Sequence, residues 1–132
     1  MHKLMALDIG TKRIGIALSD FLQVIAVPHS FIPRKPEEEA IKTITDIAKQ
    51  NSVEKIVVGI PLNMDGTTGF QAQDCIEFSQ KILGFDIIFE DERLTSEEAE
   101  SRLRSRKVDF RKNKGLVDME SACVILEQHL GK

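Results

Sequence analysis

The sequence predicts an α/β fold built on a mixed five-stranded sheet, a three-strand antiparallel meander plus two parallel strands, with helices on both faces. Three observations carry this reading. Three short apolar runs follow one another near the start of the chain with only tight turns between them, the mark of a meander. Two later runs, 55–60 and 85–90, alternate with segments of helical period, which implies parallel strands joined by crossover helices. Finally, the first run is apolar on both faces, as a strand in the middle of a sheet must be.

That first strand is Leu4-Met5-Ala6-Leu7-Asp8-Ile9. Leu4 and Ala6 lie on one side, and Met5, Leu7 and Ile9 on the other. The Leu4/Ala6 side ends in a carboxylate, Asp8, just before Gly10. A charge there is costly to desolvate unless something pairs with it. After the turn Gly10-Thr11-Lys12-Arg13, the second strand spans 14–19, and a third run extends from Val24 to Ile32. Pro33 and Pro36 end the meander and open a helix with apolar positions at Ala40, Ile41, Ile44, Ile47 and Ala48. Strand four (55–60) is closed by Pro61. An Asp65-Gly66 turn leads into a second helix whose stripe is Ala72, Cys75, Ile76, Ser79, Ile82 and Leu83, capped by Gly84.

Strand five is 85–90. Thr95 and Glu98 have capping-box spacing, so a third helix begins there. Residues 109–115 show no clean period and read as a loop. The last helix carries Leu116, Met119, Ala122, Cys123, Leu126 and Leu130 on one face.

With 132 residues, the chain is expected to form one domain, 1–132. Its composition, 30% charged and 42% hydrophobic, is that of an ordinary globular protein. No apolar run approaches the ~18–20 residues of a membrane span, and no signal-peptide pattern is present. No membrane partner and a cytoplasmic location are therefore expected. Cys75 and Cys123 fall on apolar helix faces and read as buried reduced thiols. His2, His29 and His129 show no ligand spacing and read as surface residues.

The net charge of −3 is unevenly spread. Residues 102–114 hold seven basic side chains and one acid, Asp109, so this segment is +6 and the remainder −9. Such asymmetry points to a local anion site. A solvated helix face is the plain alternative. The chain has no Trp or Tyr, and Phe110 is the only aromatic in the segment, so contacts to phosphates rather than base stacking are expected.

Three acidic positions stand out: Asp8, the pair Asp91-Glu92 just past strand five, and Asp118 in the first turns of the last helix. Brought to one sheet edge they would repel, and a hard divalent cation is the usual remedy. Two Mg²⁺ (or Mn²⁺) ions would hold an attacking water and a leaving oxygen in line across a phosphodiester. Each acid has a simpler reading: Asp8 bonded to turn amides, Glu92 paired with Arg93 or Lys12, and Asp118 favoured by the helix dipole. Asn63 reads equally as a turn residue and as a substrate-facing one. The Asp8-Ile9-Gly10 turn also suits the phosphate cradle of actin-like ATPases, but those close two lobes over the nucleotide and this chain has length for one.

Four blocks together carry a resemblance. They are 8–20 (DIGTKRIGIALSD), 58–66 (VGIPLNMDG), 91–96 (DERLTS), and 114–118 (KGLVD) with Ala122 and Ile125-Leu126-Glu127. In this order they resemble the YqgF (RuvX) family over nearly the whole chain. The resemblance implies an RNase H-like fold related to the RuvC junction resolvases, and an Mg²⁺-dependent nuclease. Family members are described as Holliday junction resolvases and as nucleases maturing the 5′ end of 16S ribosomal RNA precursor. By position, Asp8, Glu92 and Asp118 match the family's acids; the motif leaves Asp91 or Glu92 open, with Glu92 favoured. Expected nucleic-acid contacts are Lys12, Arg13, Asn63, Arg93, Arg104, Arg106, Lys107, Arg111, Lys112 and Lys114. The expected activity is hydrolysis of structured nucleic acid, with an RNA precursor placed before a DNA junction and a non-catalytic ribosome-associated module as the alternative. A monomer or weak homodimer is expected.

Overall fold

The computed structural model of the chain describes residues 1–63, 65–92 and 95–131. The strands are β1 (Lys3–Ile9), β2 (Arg13–Ser19), β3 (Ala26–Pro33), β4 (Val53–Ile60) and β5 (Asp86–Asp91). The helices are α1 (Glu37–Gln50), α2 (Phe70–Ser79), α3 (Thr95–Ser105) and α4 (Gly115–His129). The sheet order is β3-β2-β1-β4-β5. β1, β2 and β3 pair antiparallel, while β4 and β5 run parallel to β1. The predicted architecture is therefore present, with β1 at the centre.

The two faces of β1 separate as its pattern predicts. Met5, Leu7 and Ile9 join Ile14, Ile16, Ile56 and Val58 in a core covered by Ala40 and Ile44 of α1 and by Cys75 and Phe78 of α2. Leu4 and Ala6 join Ala17 and Val57 in a second core covered by Ala122, Ile125 and Leu126 of α4. Both are apolar contacts, each buried Val, Leu, Ile, Met or Phe side chain contributing on the order of 1.5–3 kcal/mol.

Four details depart from the sequence reading. Val24 and Ile25 precede β3 and are exposed, because their amides are taken by the Asp20 carboxylate at 2.7 and 3.1 Å and not by a ladder. Helix α2 ends at Ser79, where the amides of Lys81 and Ile82 bond three residues back to Phe78 and Ser79. Leu83 is thus thrown out to solvent (78% exposed), while Ile82 stays in the core. Helix α4 has no single apolar stripe, since α3 packs on its outer side and residues 120–126 are buried around the whole circumference. His129 is half-buried and bonded to Glu90 at 3.0 Å, so it is not a free surface residue.

Candidate functional site

The site is built on one row across the sheet. Asp8 points to the α4 face, since Leu4 and Ala6, two and four residues earlier, belong to that core. On one side its register partner is Gly15 in β2. On the other, Leu7 pairs with Val58, which brings Gly59 of β4 beside Asp8. The neighbours of the carboxylate on both strands therefore lack side chains.

Each gap is filled by an acidic residue. A Cβ on Gly15 would overlap the carbonyl group of Asp118, so only glycine lets the first turn of α4 lie directly on β2. A Cβ on Gly59 would fall 2.8 Å from Glu92 Oε2 and would also collide with Ile125. Glu92 follows β5 and continues its ladder, its amide bonding Ile60 O at 3.0 Å. Thr95 then clasps the Glu92 carbonyl with its amide and hydroxyl, at 3.0 and 2.9 Å. In this way two strand ends and a helix start converge, which no single stretch of sequence displays.

Asp8, Glu92 and Asp118 line one cavity of about 250 Å³, together with Gly10, Thr11, Gln71, Asp74, Cys75 and Ser96. The Glu92 carboxyl donates a hydrogen bond to Asp8. Burial is the main cause that raises both above the ordinary carboxylate range. Asp8 goes to about 6, the bond from Glu92 pulling it down and the Asp118 charge pushing it up. Glu92 goes to about 10, with the Asp8 charge and hydrogen bond adding to burial. Asp91, the last residue of β5, adds to the negative potential at Glu92. Of the two adjacent acids it is Glu92 that contacts Asp8. Asp118 is held differently, accepting a 2.7 Å bond from Arg13 Nε. Among the described residues, no three His, Cys, Asp or Glu side chains are grouped closely enough to hold one metal ion.

The turn below Asp8 is stapled by a residue the sequence reading passed over. Arg34, with its side chain only 9% exposed, donates to the Gly10 carbonyl at 2.9 Å and to both oxygens of Asp74 at 3.0 Å. Its amide bonds Lys12 O, and its guanidinium lies 4.7 Å from the centre of the Phe78 ring. The visible signal was only a lone Arg after Pro33.

The predicted basic residues divide into two groups. Arg13, Arg111 and Lys114 line a groove with Ser96, Phe110 and Asp118, so it adjoins the acidic cavity at Ser96 and Asp118. Arg104, Lys107 and Arg111 line a further hollow around Phe110. Lys12 and Lys112 are exposed. However, Arg102 is bound by Glu98, Glu120 and Glu127, Arg106 by Glu120 at 2.7 Å, and Arg104 by Glu100. The segment is therefore not a free charge of +6: packing α3 against α4 sets these arginines opposite acids, among them the buried Glu120. Arg111 pairs with Asp109. Asn63 is turned into its own loop, donating to Thr67 Oγ1 at 2.9 Å. Arg93 lies outside the described residues. Both cysteines are buried free thiols, pushed up to about 12 by burial.

The chain is similar to known proteins in sequence and in fold. A protein of Crocosphaera subtropica named "Putative pre-16S rRNA nuclease" is 41% identical over 129 residues, which cover 96% of this chain and 90% of that one. Among solved structures, the Fowlpox virus resolvase bound to Holliday junction DNA superposes with a TM-score of 0.60 at 10% identity, covering 98% of this chain and 97% of that one. RuvC of T. thermophilus with its junction substrate gives a TM-score of 0.54 at 11% identity, covering 99% and 97%. These last two show a shared RNase H-like fold. The sequence profile described as RuvX, Holliday junction resolvase, matches residues 2–132, and the chain belongs to the RuvX family.

Proposed function

We propose that this chain is a divalent-cation-dependent nuclease that hydrolyses phosphodiester bonds in structured nucleic acid, with Asp8, Glu92 and Asp118 as its acids. The observation that carries the reading is the Asp8–Glu92 contact. Two carboxyls forced together in a cavity share one proton where a cation would serve both.

The donor set suits Mg²⁺ or Mn²⁺. It offers hard oxygens, whereas Cys75, which also lines the cavity, is kept protonated by burial and presents no thiolate. Mg²⁺ commonly takes one or two carboxylates and keeps waters for substrate phosphates, so a closed three-acid cage is not required. Such an ion would supply Lewis acidity at the scissile phosphate and a more acidic attacking water. Asp8 anchors the site on the central strand of the sheet. Glu92 would serve a bound cation as a carboxylate, its proton released to solvent. Asp118 completes the acid set, and three acids would suit two such ions. Arg13, Lys114 and Arg111 hold the strand in the groove that adjoins the cavity. With Phe110 alone among them, they read backbone and shape more than bases.

An RNA precursor is placed before a DNA junction because the relative named for 16S precursor shares 41% of its residues, whereas the junction-bound structures share only fold. A side-by-side cleavage assay in Mg²⁺ on a 16S precursor fragment and a four-way DNA junction tests both points. Metal catalysis is worth several kcal/mol, so Asp8→Asn is expected to slow cleavage at least about 100-fold. Equal rates for the two proteins would overturn the mechanism, and preferential cutting of the junction would reverse the substrate order.

A further inference from the structure

We propose that Arg13 couples the acidic cavity to the nucleic-acid backbone. In the free protein its guanidinium holds Asp118; a phosphate entering the groove takes over that guanidinium, and Asp118 turns to Asp8 and Glu92. The inference rests on the metal-nuclease reading above.

Three observations support it. First, Asp118 engages only Nε of Arg13, at 2.7 Å. A guanidinium carries five N–H donors in a rigid fork, and among the described residues its two terminal nitrogens make no hydrogen bond to the protein. They are therefore available to a phosphate, which an arginine fork grips in two places. Second, the positions match a relay. Asp118 lines both hollows, Arg13 lines only the groove, and Asp8 and Glu92 line only the cavity. Third, the moving part is small. Gly15 seats the Asp118 backbone against β2, so the exchange asks only for a side-chain rotation and not for a shift of the helix. The pair is also partly solvated, at 32% and 20% side-chain exposure, so exchanging one anion for another needs no burial of new charge.

The consequence is mutual dependence. Bringing Asp118 to two other carboxyls is unfavourable without a cation, and releasing it from Arg13 is unfavourable without a phosphate. Metal and nucleic acid should therefore bind more tightly together than apart, by the same factor in either order.

Calorimetric titration of the full chain with Mn²⁺, alone and saturated with a short phosphorothioate DNA duplex, tests this. In the wild type the duplex is expected to tighten Mn²⁺ by about 10-fold or more, within the usual range of coupling. Arg13→Lys keeps the charge but lacks the fork that grips a phosphate in two places, and the gain should fall below about 3-fold. Arg13→Gln should bind Mn²⁺ without duplex about as tightly as the wild type does with it. Absence of a duplex-dependent gain in the wild type overturns the proposal, as does a full gain in Arg13→Lys. Should Arg13→Gln not fold, as judged by circular dichroism, the lysine variant decides. Mn²⁺ binding that survives Asp8→Asn would instead defeat the metal reading itself, whatever Arg13 does.

Discussion

Glu92 donates a hydrogen bond to Asp8 across the end of the central strand, so two acids from opposite ends of the sequence share a proton. The folded protein therefore holds protons that the unfolded chain would release. Between the ordinary carboxyl range and the raised values of about 6 and about 10, the native state binds more protons than the unfolded one. Stability is thus fully present below the unfolded values and is lost as pH rises through the folded ones. In the metal-free protein, the melting temperature is expected to fall between about pH 5 and pH 8, and Mg²⁺ should restore it most at the higher pH. Glu92→Gln, which keeps an N–H donor toward Asp8, should flatten the profile. Thermal melts across pH with chelator and with Mg²⁺ decide this; a metal-free melting point that climbs over the same range would refute it.

The glycines flanking Asp8 should differ in what they tolerate. Gly15→Ala drives a Cβ into the backbone of Asp118, which can yield only if α4 lifts off the sheet. A loss of about 3 kcal/mol or more is expected by chemical denaturation, at the upper end of overpacking costs. Gly59→Ala meets side chains, Ile125 and Glu92, which can shift. It should cost about 1–3 kcal/mol and leave a folded protein whose cleavage is impaired, because Glu92 is displaced.

Cations that bind substrate should separate from those that hold the fold. Lys112 and Lys114 make no ion pair among the described residues, and replacing both with Ala should weaken nucleic-acid binding and reduce its log–log salt slope by about 2. Melting temperature should hardly change. Arg106→Ala instead strips a partner from the buried Glu120, and its main effect should be lost stability, on the order of 1–3 kcal/mol. Salt-dependent binding and melting curves on the same variants distinguish the two groups.

Arg34 should matter to activity without touching substrate. Arg34→Met leaves the Gly10 carbonyl and Asp74 without their donor, at a cost of about 1–3 kcal/mol. Because the freed turn joins the strands that carry Asp8 and Arg13, cleavage should fall in protein that is still folded. Arg34→Lys restores charge but not the two-pronged grip, so recovery should be partial.

The strands and helices were legible because their signals are local. Alternation in β1, the helical period of α1 and the glycine and proline punctuation depend on neighbours in sequence, and they led to the observed order and sheet. Reading failed where a side chain competed with the ladder, as Asp20 does for Val24 and Ile25, or where a second layer buried a face, as α3 does for α4. Three of the acids that line the cavity also stood out, since Asp8 ends a buried strand and Glu92 and Asp118 lie in distinctive blocks, whereas Asp74 did not.

Their relationship was not. That Glu92 contacts Asp8 while Asp118 is held by Arg13 follows from strand register and from two glycines that open space beside one carboxylate. The same holds for charge. The sequence by itself determined that residues 102–114 carry seven cations, but the packing of α3 on α4 decided which of them meet Glu120 and Glu127. Composition is a property of the chain, whereas Coulomb energy depends on distances across it, and only the tertiary fold sets those distances.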